Sequence, residues 1–169
     1  MIKPAVLYEQ EIIDSFKNIF FNEKYKYLYY SGYGIPQIEN NTFNVHQFAS
    51  VDNNNNLVGF IYYELDRECN AARALCAINF TDNYITFGAD LIQVIKDIFE
   101  KYHFHKLIFN AVIGNPAQEK YTKIIKRFGG RIVGIAKEDI YMYGKYHDKI
   151  IYEVLKSDYD NMKEKNGLL

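Results

Sequence analysis

Apolar residues recur at helical spacing in three stretches of this chain and gather at strand spacing in six others. Ile12, Ile13, Phe16, Ile19 and Phe20 form one stripe and predict an amphipathic helix over residues 9–21. Phe87, Leu91, Val94, Ile95, Ile98, Phe99 and Tyr102 repeat that spacing and predict the strongest helix. Tyr121, Ile124, Ile125 and Phe128 follow at i, i+3, i+4, i+7 and predict a third, which Gly129 is placed to end. Residues 45–51, 57–65 and 71–80 are rich in Val, Ile, Phe and Tyr and are separated by turn residues, among them the run Asp52-Asn53-Asn54-Asn55-Asn56. They are predicted as three strands of an antiparallel meander. Residues 107–113 are apolar on both faces apart from Asn110, the pattern of a central strand. Residues 131–142 and 147–155 read as two long strands joined near Gly144-Lys145. Residues 2–7 predict a short strand, residues 25–33 are Tyr-rich, the chain is then irregular to about residue 44, and the polar tail from Ser157 is expected to fray.

The order is helix, three strands, helix, strand, helix, two strands. Strands dominate early and helices alternate late. The expected fold class is therefore α/β (α+β), a mixed, mostly antiparallel twisted sheet with helices on its faces. With 169 residues one domain is expected, long enough to bury a sizeable core.

Composition narrows the function classes. The chain is 49% hydrophobic and 24% charged, as soluble globular domains are. A formal charge of −1 gives no electrostatic footprint for nucleic acid. Lys120, Lys123, Lys126 and Arg127 are the one compact basic cluster, and they fall opposite the apolar stripe of their helix, where solvation accounts for them. No apolar run approaches the ~20 residues of a membrane span. Residues 1–4 lack the apolar core of a signal peptide. Cys69 and Cys76 lie in no C-x-x-C pair and read as free thiols of a cytoplasmic protein.

Candidate chemistry is sparse. Asn115 is placed to cap the third helix, with Pro116 at its first position and Gln118 where a capping box has its reciprocal partner. His103 and His105 alternate like strand neighbours, but no Cys or carboxylate completes a metal set with them, and a helix–strand loop is the plainer reading. Glu64 follows Tyr62 and Tyr63 on the second strand of the meander. Tyr25, Tyr27, Tyr29, Tyr30 and Tyr33 are either packed or the lining of an acceptor pocket.

Three stretches carry a resemblance to a known family. Ala77-Ile78-Asn79-Phe80, a loop and Thr86-Phe87-Gly88-Ala89-Asp90-Leu91 look like a strand running into a diphosphate-binding helix. Residues 115–130 look like an asparagine followed by a second cofactor helix. Val133-Gly134 and residues 139–152, with Gly144-Lys145-Tyr146-His147-Asp148, look like a closing hairpin. Over about residues 45–159 the order and these stretches resemble the GNAT superfamily of acyl-CoA-dependent N-acyltransferases, the hairpin its ribosomal-protein-acetylating branch. The family pattern Q/R-x-x-G-x-G/A becomes Asn83-Tyr84-Ile85-Thr86-Phe87-Gly88, in which only the last glycine survives.

The resemblance implies a single domain over 1–169. Residues 1–44 would be a helical, Tyr-rich part over an acceptor cleft, 45–159 the core and 160–169 a tail. It implies a central pair of parallel strands, 71–80 and 107–113, splayed at their C-terminal ends. Acetyl-CoA would be the cosubstrate, held by Ile78, Asn79, Phe80, Asn83, Thr86, Phe87, Gly88, Ala89, Asn115, Gln118 and Tyr121. Its pantetheine amides would pair with Ile78 and Phe80, and a backbone N–H near Phe80 would meet the oxyanion. Tyr121, one residue before the family's tyrosine position at Thr122, would serve as general acid, and Glu64, the nearest carboxylate, as base. The partner would be an amine-bearing small molecule or peptide, with no nucleic acid, no membrane and room for a homodimer. The alternative is a GNAT-shaped binding or assembly module without catalysis.

Overall fold

The computed structural model describes residues 1–29, 34–41 and 43–166. Seven strands, β1 (Ile2–Pro4), β2 (Val45–Val51), β3 (Leu57–Asp66), β4 (Ala71–Asn79), β5 (Lys106–Val112), β6 (Arg131–Met142) and β7 (Lys145–Leu155), share one sheet in the order β1-β2-β3-β4-β5-β7-β6. The helices are α1 (Glu9–Ile19), the single turn α2 (Lys26–Tyr29), α3 (Tyr84–Glu100), α4 (Gln118–Arg127) and α5 (Lys156–Asn166). β4 runs parallel to β5, while β1–β2, β2–β3, β5–β7 and β6–β7 are antiparallel, so the expected mixed sheet is present. Contacts gather the chain into two compact units, Met1–Leu65 with Leu75–Ile95, and Asp66–Ala74 with Lys96–Leu169.

In the first unit β2 is buried along nearly its whole length. On one face Ile12, Phe16 and Ile19 of α1 pack into a core with Ala49, Val51, Phe60 and Ile78. Phe20, placed on that stripe by its spacing, is 46% exposed because α1 stops at Ile19. The expected strand over residues 2–7 is only β1, followed by a tight 3-10 turn at Ala5–Tyr8. On the other face α3 lays Phe87 over β3 at Gly59. A Cβ on Gly59 would stand 2.5 Å from the Phe87 ring and 2.4 Å from the Ile78 carbonyl oxygen. Gly59→Ala is expected to cost about 1–3 kcal/mol, the range for overpacking a filled core, read as a lower melting temperature.

The second unit is built on β5, which pairs with β7 from Lys106–Leu155 to Val112–Lys149. On its other edge the pairs with β4 run from Ala71–Lys106 to Arg73–Ile108. Directly after them Ala74 takes a left-handed backbone, φ 53°, uncommon for a residue with a Cβ. The hairpin strand β7 begins at Lys145, two residues earlier than expected, and Gly144 takes the left-handed turn position, φ 77°. Residues 157–166 of the polar tail do not fray: they belong to α5, and Tyr159 is fully buried there between Phe99 and Phe128. Sparse apolar residues hid this helix, since one buried aromatic anchors it.

Candidate active site

The first turn of α3 decides what that helix can hold. Asn83 is its N-cap: the side-chain oxygen accepts from Thr86 N–H at 3.1 Å and the carbonyl from Phe87 N–H at 3.2 Å. The loop before it is closed in the same way. Asn79 Oδ1 accepts from Thr81 N–H and the Thr81 hydroxyl, Thr81 Oγ1 from Asn83 N–H, and Asp82 carbonyl from Tyr84 N–H. The helix thus starts at Tyr84, one turn before the position the resemblance implies. Gly88 and Ala89 lie in its second turn, where N–H groups bond to the turn before. Phe87 is a core residue beneath Gly59. Of the residues that the resemblance assigns to a diphosphate, Thr86 and Phe87 donate their N–H groups to Asn83, and Gly88 and Ala89 lie in the helix interior. Nothing lies within 4 Å of a Cβ built on Gly88. Gly88→Ala should raise stability by about 0.5–1 kcal/mol, as in any open helix interior, and leave CoA affinity unchanged in calorimetry.

Charge at this turn points the same way. Lys24 and Asp82 form an ion pair at 3.1 Å. The hydrogen bond from Lys24 holds the Asp82 carboxyl below its usual range, and Asp82 holds the lysine ammonium above its own. Beside them the Tyr25 hydroxyl donates to Asn79 carbonyl at 2.8 Å.

The end of β4 also differs from expectation by one residue. Phe80 N–H donates to Val58 carbonyl on β3 at 2.9 Å, and Ile78 carbonyl lies against Gly59 of β3. Successive peptide groups of a strand face opposite edges. Ile78 and Phe80 therefore face β3, and the Phe80 N–H that the resemblance offers to pantetheine or an oxyanion is bonded to Val58 here. The peptide groups turned away from β3 belong to Ala77 and Asn79. Among the described residues Asn79 Nδ2 is buried with no hydrogen-bond partner.

On the α1 side of the sheet lies a cleft of about 240 Å³ bordered by Phe16, Pro36, Gln47, Tyr62, Cys76 and Ile78, among others. Among the described residues that line it, none is charged. Gln47, 4% exposed, fastens the irregular segment above it, donating to Gln37 carbonyl and accepting from Glu39 N–H. Burial pushes the Cys76 thiol up to about 12, which keeps it protonated and a poor nucleophile. Tyr62 borders this cleft, and its hydroxyl donates to Glu64 Oε1 at 2.5 Å. Glu64 is exposed and does not itself border the cleft. Tyr62 was passed over in the sequence as one of many tyrosines; its i, i+2 spacing from Glu64 on a strand, which puts both on one face, was the available signal. Of the tyrosines proposed for the acceptor pocket, Tyr30, Tyr33 and the Tyr29 side chain lie outside the described residues, and Tyr25 is committed to Asn79.

Asn115, Gln118 and Tyr121 lie in the second unit. Asn115 Oδ1 accepts from Ala117 N–H at 2.9 Å, and Asn115 carbonyl accepts from Gln118 N–H. This turn precedes the helix, so α4 starts at Gln118 and Pro116 is outside it. Gln118 Oε1 accepts from Gly114 N–H at 3.3 Å. Tyr121 meets Phe109 edge to face at 5.6 Å. Thr122 bonds Gln118 carbonyl and the hydroxyl of buried Tyr152. His103 sits at a turn with φ 54°, and His105 N–H bonds Asn70 carbonyl. Among the described residues no cluster of three or more His, Cys, Asp or Glu could hold a metal.

No protein-family model and no curated protein matches the sequence. Solved structures do. Spermidine/spermine N-acetyltransferase SpeG from Vibrio cholerae superposes with a TM-score of 0.60 at 22% identity, over 70% of this chain and 69% of that one. A point mutant of the same enzyme covers 90% of this chain and 78% of its own, at TM-score 0.59 and 17% identity. A probable acetyltransferase gives 0.56 at 22% identity, over 69% and 64%. The chain has the GNAT fold. At these identities the likeness carries the fold, and chemistry rests on the site. The resemblance puts the diphosphate of CoA at the start of α3, where the N–H groups of Thr81, Asn83, Tyr84, Thr86 and Phe87 have partners within the loop and cap.

Proposed function

We propose that the protein is an N-acyltransferase that moves an acetyl group from a pantetheine thioester, acetyl-CoA being the family's form, to a primary amine of a small molecule or peptide. The carrying observation is the cleft bordered by Tyr62, whose hydroxyl donates to the exposed Glu64 beside it. An ammonium entering the cleft gives a proton to the Tyr62 hydroxyl as that hydroxyl's own proton passes to Glu64. The free amine attacks the thioester carbonyl, the C–N bond forms and the C–S bond breaks. The second amine proton goes to the leaving thiolate. Protonated Cys76 makes direct transfer the reading, without an acyl-enzyme.

The cleft also bears on the acceptor. Polyamines carry several cations, and their binding calls for carboxylates that no lining residue supplies. Phe16, Phe60 and Tyr62 favour an amine on an aromatic or branched apolar body. The test is acetylation of 2-phenylethylamine against spermidine: the aromatic amine should lead in kcat/KM, and a preference for spermidine would sink this reading. Tyr121 is separated from the chemistry by Tyr121→Phe. Its packing on Phe109 predicts turnover unchanged within about twofold, whereas a loss of 10²-fold or more would restore it as general acid.

One observation favours a second reading. The closed first turn of α3 also suits a GNAT-shaped binding module, which would bind amines and transfer nothing. We place the protein in the cytoplasm, since both cysteines are free thiols and, among the described residues, no helix is long and apolar enough to cross a membrane.

A further inference from the structure

Resting on the acyl-transfer reading, we infer that Gln47 is the positioning residue of the acceptor cleft: it hangs one wall of the cleft beside Tyr62 and so selects the body of the amine. Gln47 and Ala49 share one face of β2 by strand alternation, and Ala49 lies in the apolar core. A glutamine buried on such a face is costly unless its amide is bonded. Both ends of this amide are bonded, and both bonds go to the irregular segment before β2. Nε2 donates to Gln37 carbonyl at 2.9 Å, and Oε1 accepts from Glu39 N–H at 2.9 Å. The backbone adds a third bond, from Gln47 N–H to Asn41 Oδ1 at 2.6 Å. Between these anchors Ile38 is sunk in the core beside Phe16 and Phe60. Residues 34–41 form no helix or strand, so these bonds stand in for a ladder.

The segment held in this way borders the cleft. Residues 34–37 line it together with Phe16, Phe60 and Tyr62. In the β2–β3 register Gln47 stands directly opposite Tyr62, so the two side chains are neighbours on one face. One residue therefore fixes the wall at the strand position beside the hydroxyl that takes the amine's proton. An amine whose nitrogen reaches Tyr62 lays its body in the same cleft, within reach of residues 34–37. Methylamine has no body to lay there.

The experiment measures acetylation of 2-phenylethylamine and of methylamine by wild type, Gln47→Met and Asn41→Ala, with calorimetric binding of 2-phenylethylamine to each. Gln47→Met keeps the side-chain length and removes both amide bonds. It should lower kcat/KM for 2-phenylethylamine relative to methylamine by about 10-fold or more, the worth of two neutral hydrogen bonds. The loss should fall in KM rather than kcat, since the wall binds the body and takes no part in the transfer. Asn41 is exposed, so Asn41→Ala keeps the fold where Gln47→Met does not, and it should lower the same ratio by about threefold. A ratio unchanged within about twofold overturns the inference whatever the melting temperature does, because Gln47 would then support the fold alone. Binding of 2-phenylethylamine by the wild type without transfer removes the acyltransferase reading and leaves the inference to the dissociation constant, which should rise by the same factor in Gln47→Met. Transfer to methylamine alone, or binding of neither amine, overturns the inference.

Discussion

Tyr159→Ala is expected to cost about 3–5 kcal/mol of stability, the range for emptying a buried aromatic site. Tyr159 is fully buried, stacked on Phe99 at 4.8 Å and on Phe128 at 5.8 Å. Its hydroxyl donates to Glu100 at 2.6 Å, and Lys163 reaches the same carboxylate. Truncation would leave two large rings facing a void and detach α5, whose other side chains are mostly polar. Tyr159→Phe keeps the rings and removes only the bond to a charged acceptor, so it should cost less, about 1.5–3 kcal/mol. Chemical denaturation of the two variants measures both numbers. A loss below about 1 kcal/mol for Tyr159→Ala would mean that α5 frays after all. The pair also sets a pH dependence. Lys163 first, then the Tyr159 hydroxyl, holds Glu100 below its ordinary carboxylate range. A depressed carboxyl stabilises the fold above its unfolded pKa, and that contribution is lost as the pH falls through the folded value. The difference between wild type and Tyr159→Phe should therefore shrink in acid.

The second large effect is kinetic. Tyr62→Phe and Glu64→Gln are each expected to lower kcat/KM by about 10²-fold or more, the usual worth of a positioned base. Both side chains sit on one face of β3, and Glu64 is exposed, so neither change should disturb the fold. Because they act as one relay, the double variant should be little worse than either single one. Losses below about threefold in both would show that water takes the proton directly.

Periodicity alone made most of the fold legible. The α3 stripe, the doubly apolar β5 and the hairpin strand β7 each announce a buried face and have one, whereas β6 is buried only at Met142. Boundaries were less legible where one side chain decides them. Asn83 and Asn115 are both good caps, yet Asn83 starts a helix at once while Asn115 closes a turn and delays one to Gln118. The family pattern drew attention to Gly88, whereas the side chains that close the loop, Asn79, Thr81 and Asn83, carry no such mark. The one-residue error at Ile78 and Phe80 reflects the period of two in a strand, which a sequence leaves open until β3 is seen to claim Phe80 N–H. α5 was missed because its burial rests on Tyr159, too few apolar positions to show a period.

The most direct test of the account is product formation from 2-phenylethylamine and a millimolar acetyl thioester, followed by mass spectrometry for wild type and Tyr62→Phe. The account predicts N-acetylated amine and released thiol in equal amounts with the wild-type protein, and at least about 10²-fold less with the variant. No acetylated amine above the uncatalysed background, with either acetyl-CoA or S-acetylpantetheine as donor, would contradict it.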